Sequence, residues 1–181
     1  MDVNAYKTNL LNELQRLKKL AENAFSQIDD EQLFTTINKE GNSVAVILKH
    51  LSGNMRSRWR DLLTTDGEKP DRNRDNEFVI ISKDTKDLIL KQWEDGWSIL
   101  FNAIQSLHPS DFDSTISIRG EPHTVVQAIN RQLTHYSYHV GQIVFLAKHL
   151  RGSEWNSLSV PFGKSKEFNI SPRKYLSEHE V

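Results

Sequence analysis

The stretch TVVQAINRQLTHYSYHVGQIVFLAKHLRG, residues 124–152, decides the class of fold. Its apolar residues Val126, Ile129, Leu133, Tyr136, Val140, Ile143, Ala147 and Leu150 step by three and four, which is one stripe of an α-helix and no strand pattern. Thr124 followed three residues later by Gln127 is a capping box, satisfying two amides that a helix start leaves free. Gly152 is placed to end the helix, because glycine tolerates the backbone turn found there. The reading is a helix over residues 124–151.

Working outward, three more segments carry the same period. Leu10, Leu14, Leu17, Ala21, Ala24 and Ile28 predict a helix over residues 2–28. Val44, Ile47, Leu51, Met55, Trp59 and Leu62 predict one over residues 43–65, with Asn42 or Ser43 as its N-cap after Gly41. Ile89, Trp93, Trp97, Leu100 and Ile104 predict one over residues 82–106, stopping before His108-Pro109. Between the last two helices, Thr115-Ile116-Ser117-Ile118 alternates and is followed by Arg119-Gly120-Glu121-Pro122, which suggests a small hairpin or extended turn. Residues 152–181 mix Trp155, Val160, Phe162 and Phe168 with polar residues, and read as an ordered strap rather than a further helix.

The expected fold is therefore all-α, a four-helix bundle in one domain spanning residues 1–181. The polar loop at residues 66–81 could span roughly 50 Å, against about 35 Å for the second helix, so it permits a crossover along the bundle. A simple meander stays open on length alone.

Lys and Arg total 23 against 24 Asp and Glu, for a net charge of −1, which gives no basic face for nucleic acid. Arg56, Arg58 and Arg60 alternate on a helix and diverge in direction, with Arg58 along the apolar arc and suited to an acidic group. The chain contains no cysteine, so a metal would have to sit on His, Asp or Glu. No run of about 18 apolar residues appears, which argues against a membrane span. The first residues lack the unbroken apolar stretch of a signal peptide, and the cytoplasm is the expected location.

Of seven histidines, three fall in register. His135 and His139 are spaced i, i+4, so both imidazoles leave one helix on the same side, at the edge of its apolar arc. His50 holds the matching place on the second helix. Such histidines are often hydrogen-bonded structural residues; three facing inward, in a chain with no thiolate, also suit a divalent ion. His108, His123, His149 and His179 have no partner at helical spacing.

Asn42-Ser43-Val44-Ala45-Val46-Ile47-Leu48-Lys49-His50-Leu51, together with His135-Tyr136-Ser137-Tyr138-His139-Val140-Gly141-Gln142-Ile143, resembles the DinB-like superfamily and most of all a domain-of-unknown-function branch of it. The tail stretch Ser159-Val160-Pro161-Phe162-Gly163-Lys164-Ser165-Lys166-Glu167-Phe168-Asn169 carries the same likeness. The resemblance implies an up-down-down-up bundle, a homodimer, and zinc or nickel on a histidine triad, here His50, His135 and His139. It also implies a low-molecular-weight thiol as co-substrate, since relatives of that kind transfer thiols or isomerise their adducts.

Three neutral imidazoles leave a coordination position open, the mark of a catalytic ion. The expected function is a metal-dependent S-transferase joining a thiol to a small electrophile. A metal-binding or stress-related bundle without turnover is the alternative. A metal-assisted hydrolase is a weaker one, because neither ligand segment offers a carboxylate base. Asn54 and Gln142 stand near the ligands and could orient water or substrate. Tyr136 is expected in the core and Tyr138 on the outer face. Trp59, Trp93, Trp97 and Trp155 are expected in the core or an interface.

Overall fold

The computed structural model describes residues 2–170. Helices dominate it, with four long ones: α1 (Val3–Phe25), α3 (Val44–Trp59), α4 (Lys86–Ser106) and α5 (Val125–Arg151). Two short helices, α2 (Asp30–Phe34) and α6 (Ser165–Ile170), complete the set. A two-stranded antiparallel hairpin, β1 (Thr115–Ile118) and β2 (Glu121–Thr124), is the only sheet among the described residues. Among them no helix is long and apolar enough to cross a membrane.

Side-chain caps account for where the long helices start. Asp2 accepts from the amides of Asn4 and Ala5, Ser43 from Val46, and Thr85 from Leu88. Thr124 and Gln127 form the expected reciprocal box at the start of α5. Gly152, with φ 60°, closes that helix.

The stripes predicted from periodicity are the buried faces. Leu10, Leu14, Leu17, Ala21 and Ala24 of α1 meet Ile129, Tyr136, Val140, Ile143 and Ala147 of α5 in one continuous core. Helix α3 packs on α4 and α5, and α1 packs on α5 and α4, so each long helix has two long neighbours. Thirteen of the 16 residues of α3 are buried, and only Lys49, Gly53 and Arg56 form a narrow outward stripe. A helix so enclosed can place polar residues only where partners await them.

The second helix ends earlier than residue 65. Arg60 is extended and Asp61 takes φ 50°, a left-handed conformation that breaks the helical run. The break lets the chain fold back on α3. Ser57 donates to the carbonyl of Gly67 and accepts from the amide of Lys69. The loop that follows is more structured than its polarity suggests. It includes a 3-10 turn at Asp75–Phe78 packed on α3, and Lys49 anchors its end through Asp84 and the Val79 carbonyl.

The hairpin joins Arg119 and Gly120 through positive φ angles of 57° and 75°, the twist of a tight two-residue turn. It buries Ile116 and Ile118. Asp66 clamps it by accepting from the Ser117 hydroxyl and the amides of Arg119 and Gly120.

The strap expected over residues 152–181 is realised only in part. Trp155 and Leu158 pack against the core, and Asn156 exchanges two hydrogen bonds with Gln27. Beyond them the chain forms α6, with no buried residue, and Phe162 is fully exposed. Of the apolar residues that follow Leu158, Phe162 and Ile170 are exposed and Val160 and Phe168 are only partly buried. Residues 171–181 of the strap, His179 among them, lie outside the described residues.

Candidate metal centre

His50 leaves α3 towards α5, where His135 and His139 wait one turn apart. The ligand nitrogens of the three lie within 4.8 Å of one another, and the Nε2 atoms of His50 and His135 are 3.2 Å apart. Nitrogens around a tetrahedral zinc stand about 3.4 Å apart, given bonds of about 2.0–2.1 Å. The His50–His135 pair is close to that spacing, and no pair in the triad is more than 4.8 Å apart. No fourth His, Asp or Glu joins the cluster among the described residues.

Hydrogen bonds decide which nitrogen each ring turns inward. Glu77 Oε2 is 2.8 Å from His50 Nδ1, and Gln142 Oε1 is 2.7 Å from His139 Nδ1. Burial raises the Glu77 carboxyl, but hydrogen bonds from His50 and Arg72 and the Arg72 charge outweigh it and hold the group ionised. An ionised Glu77 requires the proton on His50 Nδ1, leaving the Nε2 lone pair free; the Gln142 carbonyl does the same for His139. Outer-shell acceptors of this kind orient metal-binding imidazoles.

His135 Nδ1 is buried without a partner, and so is the Gln132 side-chain oxygen, one helical turn earlier on α5. Burial, with the neighbouring His139 and His50, pushes the His135 pKa down to about 3; burial pushes His139 down to about 4 against the Gln142 hydrogen bond. Both rings are neutral near pH 7, the form that binds a metal. The donor set fits a divalent ion.

Two further contacts set the spacing of the helices at this level. Trp59 Nε1 donates to the Tyr136 hydroxyl at 2.7 Å, and that hydroxyl donates to Asn54 Oδ1 at 3.1 Å. This chain ties α3 to α5 between the ligands' own turns. Asn54 is thus occupied by Tyr136, which is fully buried as expected. Gln142 holds a ligand in place.

Glu77 is the residue that sequence reasoning missed. It corrects the expectation that no carboxylate stands near the ligands, although its engagement with His50 and Arg72 leaves it no freedom as a base. Arg72 binds it through Nε at 2.8 Å and Nη2 at 3.0 Å. Phe78 lies against His50 with ring centroids 4.8 Å apart. Gly53, one turn after His50, makes room: a Cβ there would stand 2.2 Å from Glu77 Oε1. The available signals were a lone Phe in a polar loop and a glycine inside an otherwise enclosed helix.

Other expectations resolve individually. Arg58 finds an internal acidic partner in Glu68 and also donates to the Gly67 carbonyl. Arg60 pairs with Asp71. Tyr138 is half exposed, yet its ring lies 5.3 Å from His135 and 4.3 Å from His139, and it borders the cavity beside the triad. His149 is exposed on another part of α5, against Phe145.

Fold and site together define a mostly helical protein whose three clustered histidines could hold a metal ion. The chain belongs to the family described as proteins of unknown function, DUF1572, whose sequence profile matches residues 2–164. No curated protein shows significant similarity to it.

Proposed function

We propose that this protein is a metal-dependent S-transferase of the DinB-like kind, joining a low-molecular-weight thiol to a small electrophile in the cytoplasm. In this reading α1, α3, α4 and α5 form an up-down-down-up bundle, and zinc or nickel sits on His50, His135 and His139. The observation that carries it is the triad itself: two of its rings are oriented by Glu77 and Gln142, and all three open onto one cavity of about 320 Å³. A site closed by a fourth protein ligand would favour a structural ion.

A divalent ion so held would supply Lewis acidity, lowering the proton affinity of a thiol or water. The chain's own residues do the rest. Glu77 and Gln142 keep protons on the outward nitrogens of His50 and His139, so the inward lone pairs stay available. Tyr138 borders the mouth of the cavity, and Phe78 covers His50 on the loop side. In the transfer the thiol gives its proton to solvent, its sulfur forms a bond to the electrophilic carbon, and the leaving group departs with the electron pair of the broken bond. The absence of cysteine removes any competing thiol from the protein itself. The hydrolase alternative is weakened because the nearest carboxylate, Glu77, is already bound on both oxygens.

Cobalt substitution tests the reading. Thiolate coordination brings a sulfur-to-metal charge-transfer band, expected on adding cysteine, a cysteinyl peptide or coenzyme A to the cobalt-loaded protein. A loaded protein that gives no such band with any of them would put the non-catalytic metal-binding reading ahead.

A further inference from the structure

The cavity beside the triad is lined by five arginines, Arg58, Arg72, Arg74, Arg119 and Arg131, and by no Asp or Glu. That is a strong local concentration in a chain whose net charge is −1. Two carboxylates stand behind them. Glu68 accepts from Arg58 at 2.9 Å, Arg119 at 3.0 Å and Arg72 at 3.5 Å, and Glu77 accepts from Arg72. Five guanidinium groups pair with only these two carboxylates, and even with Asp66 at the Arg119 amide counted they leave a surplus of two positive charges before any divalent ion is added.

The surplus is not evenly placed. Arg58 and Arg72 are buried at the base and held by Glu68 and Glu77. Arg74 lies over the Phe78 ring at 5.0 Å, and Arg131 contacts the His123 ring nitrogen at 3.3 Å. Neither forms an ion pair among the described residues. The Nε of Arg58 is buried and lacks an acceptor. Arg119 occupies a turn position with φ 57°, where Asn or Gly fits with less strain, and its side chain reaches Glu68 and the cavity wall. Like charges gathered around a recess repel one another unless an anion enters, and a recess focuses their field on what does enter.

We propose that the arginine-lined end of this cavity binds an oxoanion, the carboxylate or phosphate group of a small substrate whose reactive end reaches the histidines. The second clause rests on the metal-site reading; the anion site rests on the arginines alone. A volume of about 320 Å³ suits a small metabolite rather than a polymer. Guanidinium forks bind carboxylate and phosphate through paired hydrogen bonds, so Arg74 and Arg131 can grip the anion while the buried pair fixes the base.

Calorimetric titration of the metal-loaded full chain with succinate and with inorganic phosphate tests this. At least one should bind, more weakly as salt rises, and the tighter of the two identifies a carboxylate or a phosphate substrate. The double variant Arg74→Gln/Arg131→Gln, altered only at exposed positions, should lose about 10-fold or more in affinity, roughly one charge-assisted contact, while binding the same amount of metal. His135→Ala should still bind the anion. Binding of neither anion overturns the proposal. So does binding that is lost in His135→Ala and unchanged in the arginine variant, which would make the anion a ligand of the ion only. If wild-type protein holds no metal yet binds the anion through the arginines, the metal reading fails and the anion site stands.

Discussion

At the scale of single residues the centre is a matter of who holds whom. His50 is aimed by Glu77, Glu77 is held by Arg72, and both fit only because Gly53 has no side chain. Glu77→Gln keeps the shape and removes the charge that fixes the His50 proton. It should weaken metal affinity by about 10–100-fold, the usual cost of losing such a partner. Gly53→Ala would normally stabilise a helix by about 1 kcal/mol. Here it should act in the opposite direction on the ion, because the new methyl group displaces Glu77. Competition against a chromogenic chelator reads both variants, with His135→Ala as the loss control and His149→Ala as the silent one. Unchanged affinity in both Glu77→Gln and Gly53→Ala would show that Glu77 plays no part in the centre.

Among the elements, the loop after α3 and the hairpin before α5 do more than connect. They bring Glu68, Arg72, Glu77 and Arg119 beside the triad, which sits along the middle turns of α3 and α5. Asp66 joins the two by accepting from Ser117, Gly120, Glu68 and Arg119, and these hydrogen bonds, that of Ser117 first, hold its carboxyl far below the ordinary value of 3.8. A carboxyl depressed in the folded state contributes stability that is complete above the unfolded pKa and fades as pH falls below it. Asp66→Asn should therefore unfold at lower temperature than wild type at pH 7, and the gap should narrow below about pH 4. Thermal unfolding followed across pH measures this; a gap independent of pH would mean that the charge of Asp66 is not what clamps the hairpin.

For the whole molecule, assembly is the open expectation. Three of the four tryptophans, Trp59, Trp93 and Trp97, are core residues, so the surplus of tryptophan gives no support to an interface. Other exposed apolar residues take that place: Ile37, Tyr138 and Phe145 border one shallow recess next to the triad, and Tyr138 also lines the metal cavity. We propose a homodimer that uses this face. Sedimentation should give a dimer at micromolar concentration, and Phe145→Glu should shift it to monomer with no loss of helical circular dichroism. A wild-type protein that sediments only as monomer would end the proposal.

What the sequence determined by itself was set by local chemistry. The three- and four-residue stripes, the Ser43 and Thr124 caps and the Gly152 stop depend on neighbours within one or two turns, so the long helices and their buried faces were legible, although α4 starts after its Thr85 cap rather than at residue 82. The i, i+4 pair His135 and His139 was legible for the same reason, and His50 through its place on a second stripe. Only the tertiary structure decided the rest. The early end of α3 depends on Gly67 and Lys69 returning to Ser57. Glu77 stands 27 positions from His50 in a polar run with no period. The five arginines come from α3, the loop that follows it, the hairpin turn and α5. Periodicity reports which way a side chain leaves its own helix. It carries no information about a contact made by a loop folding back, because that contact is chosen by the packing of the whole core.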